Sequence, residues 1–191
     1  MQTVIDLLSR RNVVNAIGAC ALALFASAAS VCAAAPAAFE QYSVLAALTL
    51  NFARFTQWPD SAFADAGNAL NVCLVGDNVL LQSFESIDGK NVGNRSIKIV
   101  NSERLRNLNQ CQILFISELP NNVLLQVFLD TKTLPVLTMG EDTDFAANGG
   151  MVAMVNVDGK IQLHINLAAV KASGLTISSN LLRLAKIVGD R

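Results

Sequence analysis

The chain has 191 residues, which suits one domain able to bury its own core, and 52% of them are hydrophobic against 15% charged. Fourteen Lys and Arg against fifteen Asp and Glu leave a net charge of −1 at pH 7, so no basic excess draws the chain to nucleic acid. A single histidine and four cysteines starve both a zinc centre and a nucleophile-and-base catalytic arrangement of members.

The N-terminal segment reads as a secretory signal peptide, with Arg10-Arg11 ahead of an Ala-rich apolar stretch and small residues crowding up to Pro36. The reading places cleavage after Ala33, making residues 1–33 the removed segment and 39–189 the folded domain. Retention as a membrane anchor is the competing reading, disfavoured by Asn12 and Asn15 and by alanine in place of leucine. Loss of Asp6, Arg10 and Arg11 would take the net charge from −1 to −2. The mature chain then keeps Cys73 and Cys111 only. In an oxidising compartment these are most simply a disulfide, the alternative being two buried thiols.

From Phe39 to Gln57 the pattern predicts a helix, with Leu45, Leu48, Phe52 and Phe55 on one buried face. It should end before Trp58, which Pro59 pushes out of helical geometry. "LNVCLVG", residues 70–76, predicts a strand closed by Gly76-Asp77, with a helix over 79–86 beyond it. Further strands are expected at 96–100, in "CQILFIS" and in "LPVLTMG", with helices from Ser102 to Leu108 and from Asn121 to Asp130. Unalternated apolar strands interleaved with helices predict a mostly parallel sheet covered on both faces.

The ending differs. Asp158-Gly159 between two strand-forming runs predicts an antiparallel hairpin in which Val157 faces Lys160, Met154 faces Leu163 and Ala153 faces His164. Two short helices follow, one ending at Gly174 and one opening at Ser178 or Ser179 that carries Leu181, Leu184, Ala185 and Val188 inward. The fold class is therefore α/β, a single domain with a mostly parallel sheet, helices on both faces and a C-terminal antiparallel β-hairpin.

Few residues carry chemistry. Asp77 sits where open parallel sheets often bind ligands, though capping the next helix is the simpler role. His164 opposite the small Ala153 leaves room for a ligand or partner, and a free imidazole would sense acidification, against the plainer reading of a structural histidine. Asp142 and Asp144 read as solvated loop carboxylates, and Gly149-Gly150 as a sharp turn more than a close approach. Arg54 and Trp58 at the end of the first helix are the candidate partner contacts, set against Trp58 simply packing under its proline.

The ordered fragments "NFARFTQWP", "NVCLVGD", "CQILFIS", "GGMVAMVNVDGKIQLHINL" and "GLTISSNLLRLAKIV" together resemble the YfiR-like family, over residues 41–188. The resemblance implies a cysteine pair at Cys73 and Cys111, no cofactor and no enzymatic activity. It implies a periplasmic regulator that binds the periplasmic sensory region of an inner-membrane diguanylate cyclase, or of a sensor kinase. Repression of the cyclase would lower cyclic di-GMP and biofilm formation; a homodimer is a possible further partner, and the charge balance already argues against nucleic acid. The alternative reading is a periplasmic small-molecule sensor. This chain departs from the family in carrying Met154 and Leu163 where Phe is common and His164 where an acidic residue is usual.

Overall fold

The computed structural model describes residues 34–189 except 65 and 103; the expected signal peptide and its cleavage point lie outside the described residues. Helix α1 (Ala34–Phe55) leads into a two-residue strand, β1 (Thr56–Gln57). Strand β2 (Ala69–Val75), helix α2 (Asn78–Phe84), strands β3 (Asn91–Val92) and β4 (Arg95–Asn101), and strand β5 (Ile113–Ile116) follow. Then come helix α3 (Asn121–Thr131), strands β6 (Leu137–Gly140), β7 (Val152–Val157) and β8 (Lys160–Asn166), and helix α4 (Leu167–Ala172). Strand β9 (Thr176–Ile177), helix α5 (Ser179–Leu182) and strand β10 (Ala185–Val188) close the chain.

Eight strands form one sheet in the order β10-β8-β7-β6-β5-β2-β4-β3. Its centre is parallel, as the uninterrupted apolar strands require: β4 and β5 both run parallel to β2, and β6 and β7 continue in the same sense. Alternate side chains of each strand enter opposite layers. Val72, Leu74, Ile113, Phe115, Leu137 and Met139 meet α1, α2 and α4 on one face. Cys73, Val75, Leu114 and Ile116 meet α3 on the other. The hairpin has the expected register, with Ala153 opposite His164, Met154 opposite Leu163 and Val157 opposite Lys160. Asp158 and Gly159 both take positive φ, as a two-residue type I′ turn demands.

Four expectations need correction. Phe52 is fully buried, but Phe55 is 42% exposed. The buried stripe of α1 runs through Leu45, Ala46, Thr49, Phe52 and Ala53, and Phe55 falls off its edge where the chain leaves the helix. The helix also stops early, because Thr56 and Gln57 pair antiparallel with Ile177 and Thr176. The helix expected from Ser102 does not form: Leu105 and Asn107 adopt φ of 48° and 56°, a left-handed geometry that interrupts helical hydrogen bonding. The last expected helix ends at Leu182, and Ala185–Val188 instead pair parallel with Leu163–Asn166 of β8. The spacing of Leu181, Leu184, Ala185 and Val188 imitates a helix. Yet the open edge of β8 offers backbone partners that a further helical turn would forgo, and Leu184 is 74% exposed.

Gly149-Gly150 combines both readings made for it. Gly149 has φ of 119°, the turn; Gly150 has no room for a side chain, since a Cβ there would lie 2.3 Å from the Phe145 ring and 2.8 Å from its carbonyl oxygen. Gly140 leaves the same ring its space, with a Cβ there 2.4 Å from it. Phe145 is thus seated between two glycines and packs edge-on against Phe128 at 5.0 Å.

Candidate functional site

The sequence singled out Cys73, Cys111, Arg54, Trp58, Asp77 and His164. Cys73 and Cys111 form a disulfide with Cα atoms 5.7 Å apart, joining the middle of β2 to the residue two before β5. The other four are not brought together. Trp58 lies at the amino ends of the parallel strands and Asp77 at their carboxyl ends. With β2 spanning seven residues, those ends are about 20 Å apart. His164 is four strand positions from β2 in the sheet.

At the amino-end rim, Trp58 is half-buried and its indole Nε1–H donates to the carbonyl of Gln112 at 3.1 Å. Gln112 is fully buried and gathers this rim. Its Oε1 accepts from the Asn71 amide at 2.7 Å, and its Nε2 donates to the Ala62 carbonyl at 2.6 Å. Phe63 meets Trp58 edge-on at 6.5 Å, and the Arg95 guanidinium lies 3.6 Å above the Phe63 ring. Arg54 stays exposed beside the exposed Phe55. Gln112 was legible only as a polar residue inside the apolar run "CQILFIS", where its amide has to find partners.

At the carboxyl ends, β2 lies between β4 and β5, the place where the strand order reverses and open sheets leave a crevice. Asp77 accepts from the Leu80 amide at 2.9 Å and so caps α2. Beside it, Ser117 donates to Glu141 Oε1 at 2.6 Å, and Gln41 donates to Glu141 Oε2 at 3.1 Å. The Tyr42 hydroxyl is 3.2 Å from Ser117 Oγ, within hydrogen-bond reach. Burial pushes the Tyr42 phenol up from its ordinary value, with the hydrogen bond to Ser117 opposing and the carboxylates of Glu141, Asp77 and Glu118 adding to the rise. This relay latches α1 to the ends of β5 and β6 beside a cavity of about 340 Å³. Its members are a phenol, an alcohol and a carboxylate, and their mutual hydrogen bonds hold the three segments together. Asp142 and Asp144 of "GEDTDF" are exposed, as their reading as solvated loop carboxylates expected, whereas Glu141 beside them was passed over. No group of three or more potential metal ligands occurs among the described residues.

The third region is the outer side of α3. Leu125 and Leu129 are 49% and 67% exposed. They border a mainly apolar groove of about 590 Å³ that also takes in Phe128, Met151, Ala169 and Asn166. Asn166 and His164 are two residues apart on β8 and so share one sheet face, which places half-buried His164 on the face that α3 covers. Arg54 belongs to the helix covering the opposite face.

A family model described as YfiR/HmsC-like matches residues 42–186, well over half of the chain. No curated protein matches it.

Proposed function

The chain belongs to the YfiR/HmsC-like family of periplasmic regulators of cyclic di-GMP signalling, and from that premise we propose that it represses an inner-membrane diguanylate cyclase by binding the cyclase's periplasmic sensory region. The observation that carries this reading is the exposed pair Leu125 and Leu129 beside the apolar groove of α3. Contiguous exposed apolar surface on a folded chain is the usual mark of a partner-binding face. A hydrophobic helix of the partner would fill the groove, with Leu125 and Leu129 as anchors and Lys132 and Asn148 at the polar margin.

Repression then follows from differential affinity. A regulator that binds the silent conformation of the receptor's outer region more tightly than the active one shifts the receptor by that ratio, and dissociation reverses the shift. The fold supplies a rigid platform for this, a parallel sheet clamped by a disulfide and covered on both faces.

Arg54 and Phe55 form the competing contact surface on the opposite face, and Trp58 and Asp77 are contacts only if their present hydrogen-bonding duties allow it. The experiment compares L125D/L129D with R54E/F55S in a strain carrying the chain at its natural level. The first pair is expected to lose crosslinking to an inner-membrane partner and to raise cyclic di-GMP, the second to leave both unchanged. The reverse pattern moves the interface to α1, and no change from either pair removes the proposal.

A further inference from the structure

A second cavity of about 590 Å³ lies over the disulfide, on the α3 side of the sheet but beyond the reach of α3, against β2 and β4. Its lining differs from that of the apolar groove. Lys98, Arg104 and Arg106 contribute three cations, Asn71, Asn107 and Gln110 contribute neutral amides, and Cys73 and Cys111 form the floor. No aspartate or glutamate lines it among the described residues. Glu103, between Ser102 and Arg104 in sequence, is not among the described residues. None of the three cations forms an ion pair with another described residue.

The placement of the cations is built into the backbone. Lys98 pairs with Asn71 across β2 and β4, and its neighbour two residues on, Val100, pairs with Cys73, so Lys98 stands on the face that carries the disulfide. Leu105 inserts toward the Cys73, Cys111 and Leu108 cluster while holding φ at 48°, a left-handed conformation that is unfavourable for a residue with a side chain. Asn107 repeats the left-handed geometry at φ of 56°. The leucine pins the loop to the core, and the arginines on either side of it line the cavity. The disulfide closes the segment between residues 73 and 111, and all three cations lie within that segment.

We propose that this cavity binds a phosphoryl-bearing solute, with Arg104 and Arg106 gripping the phosphoryl oxygens and Lys98 neutralising the remaining charge. Guanidinium groups match phosphate oxygens in paired hydrogen bonds, and ammonium adds a compact point charge. Three cations call for a multivalent anion, and amide side chains would satisfy the polar remainder of a small organic phosphate. The volume lies within the range of small-molecule pockets. The site is independent of the α3 groove, so either assignment can stand without the other.

The test is calorimetric titration and thermal unfolding of the exported, oxidised chain with inorganic pyrophosphate and with glycerol phosphate, each against sodium chloride at matched ionic strength. The intact protein is expected to bind pyrophosphate and gain melting temperature beyond the chloride control. R104Q/R106Q should lose that gain with its disulfide and circular dichroism unchanged, and K98Q should weaken binding at least several-fold. R54Q and R183Q, outside the cavity, serve as controls and should bind as the intact chain does. Vesicles containing phosphatidylglycerol form a parallel arm: binding there that also requires Arg104 and Arg106 assigns the phosphoryl group to a lipid headgroup, and binding to free glycerol phosphate assigns it to a soluble molecule. No gain over chloride in any arm, or a gain that R104Q/R106Q keeps, overturns the proposal.

Discussion

The indole Nε1–H of Trp58 donates to the main-chain carbonyl of Gln112 at 3.1 Å, across 54 residues of sequence. The same glutamine binds the Asn71 amide and the Ala62 carbonyl through its side chain, so one buried amide ties the end of α1, the turn after Pro59 and the start of β2 to β5. Gln112→Leu would leave the amide of Asn71 and the carbonyl of Ala62 without these partners, at a cost of about 2–3 kcal/mol. Trp58→Phe should cost about 1 kcal/mol, because the Gln112 carbonyl keeps the Leu137 amide at 2.9 Å. Urea denaturation separates the two; equal midpoints would refute the hub role of Gln112.

The Cys73–Cys111 bridge closes a separation of 38 residues. Replacing both cysteines with alanine should remove about 4 kcal/mol on the chain-entropy account. Reductant added to the intact chain should lower its melting temperature to a similar degree, and a melting temperature indifferent to reductant would contradict the stabilising role.

Gly140 and Gly150 flank Phe145, and each position can be probed with a methyl group. Both Gly140→Ala and Gly150→Ala should destabilise by about 1–3 kcal/mol or more through overpacking. Phe145→Leu in the same chain should recover part of the loss at position 140, where only the ring is met. At position 150 the carbonyl oxygen of residue 145 also stands 2.8 Å from the added carbon, so little recovery is expected. Equal rescue at both sites would show that the backbone contact is unimportant.

The raised pKa of Tyr42 gives a signed pH dependence. The unfolded phenol ionises near 10, while the folded one holds its proton to higher pH. Above that value the native state binds more protons than the unfolded state, so stability is intact below about pH 10 and falls as the pH rises toward the folded pKa. Tyr42→Phe should flatten this alkaline decline in guanidinium titrations between pH 9 and about 11, a range set by the ordinary value near 10. A decline that persists unchanged in the variant would place its source elsewhere.

Leu129 is largely exposed on α3, so Leu129→Asp should change stability by no more than about 0.5 kcal/mol. If the groove is the partner interface, this substitution should lower the yield of crosslinked membrane partner sharply while the melting temperature stays put. A variant that unfolds early would instead assign Leu129 to the fold.

Local rules reach as far as local physics does. The Asp158-Gly159 turn fixes the register of β7 and β8, because a two-residue loop permits one pairing and the side-chain period of two then places His164 opposite Ala153. Apolar runs such as "NVCLV" and "ILFI" read as buried parallel strands because no face of them is polar enough to meet water. The stop of α4 at Gly174, where φ is 72°, follows from backbone geometry. These the amino-acid order by itself determined, along with the α/β class; the bridge between Cys73 and Cys111, for which two buried thiols were the alternative, was settled by the structure.

The tertiary structure decided what depends on partners distant in sequence. Ala185–Val188 carry a spacing that suits a helix equally well, and only the unpaired edge of β8 selected a strand. Thr56 and Gln57 left α1 to pair with β9, which turned Phe55 outward. Tyr42, Ser117 and Glu141 come from three separated segments, and so do Trp58, Asn71 and Gln112. The cations over the disulfide share a cavity because β4 lies beside β2 and Leu105 is pinned in a left-handed turn. A hydrogen bond or a cavity wall needs both sides placed, and the second side is set by packing of the whole sheet, which no short window of residues contains.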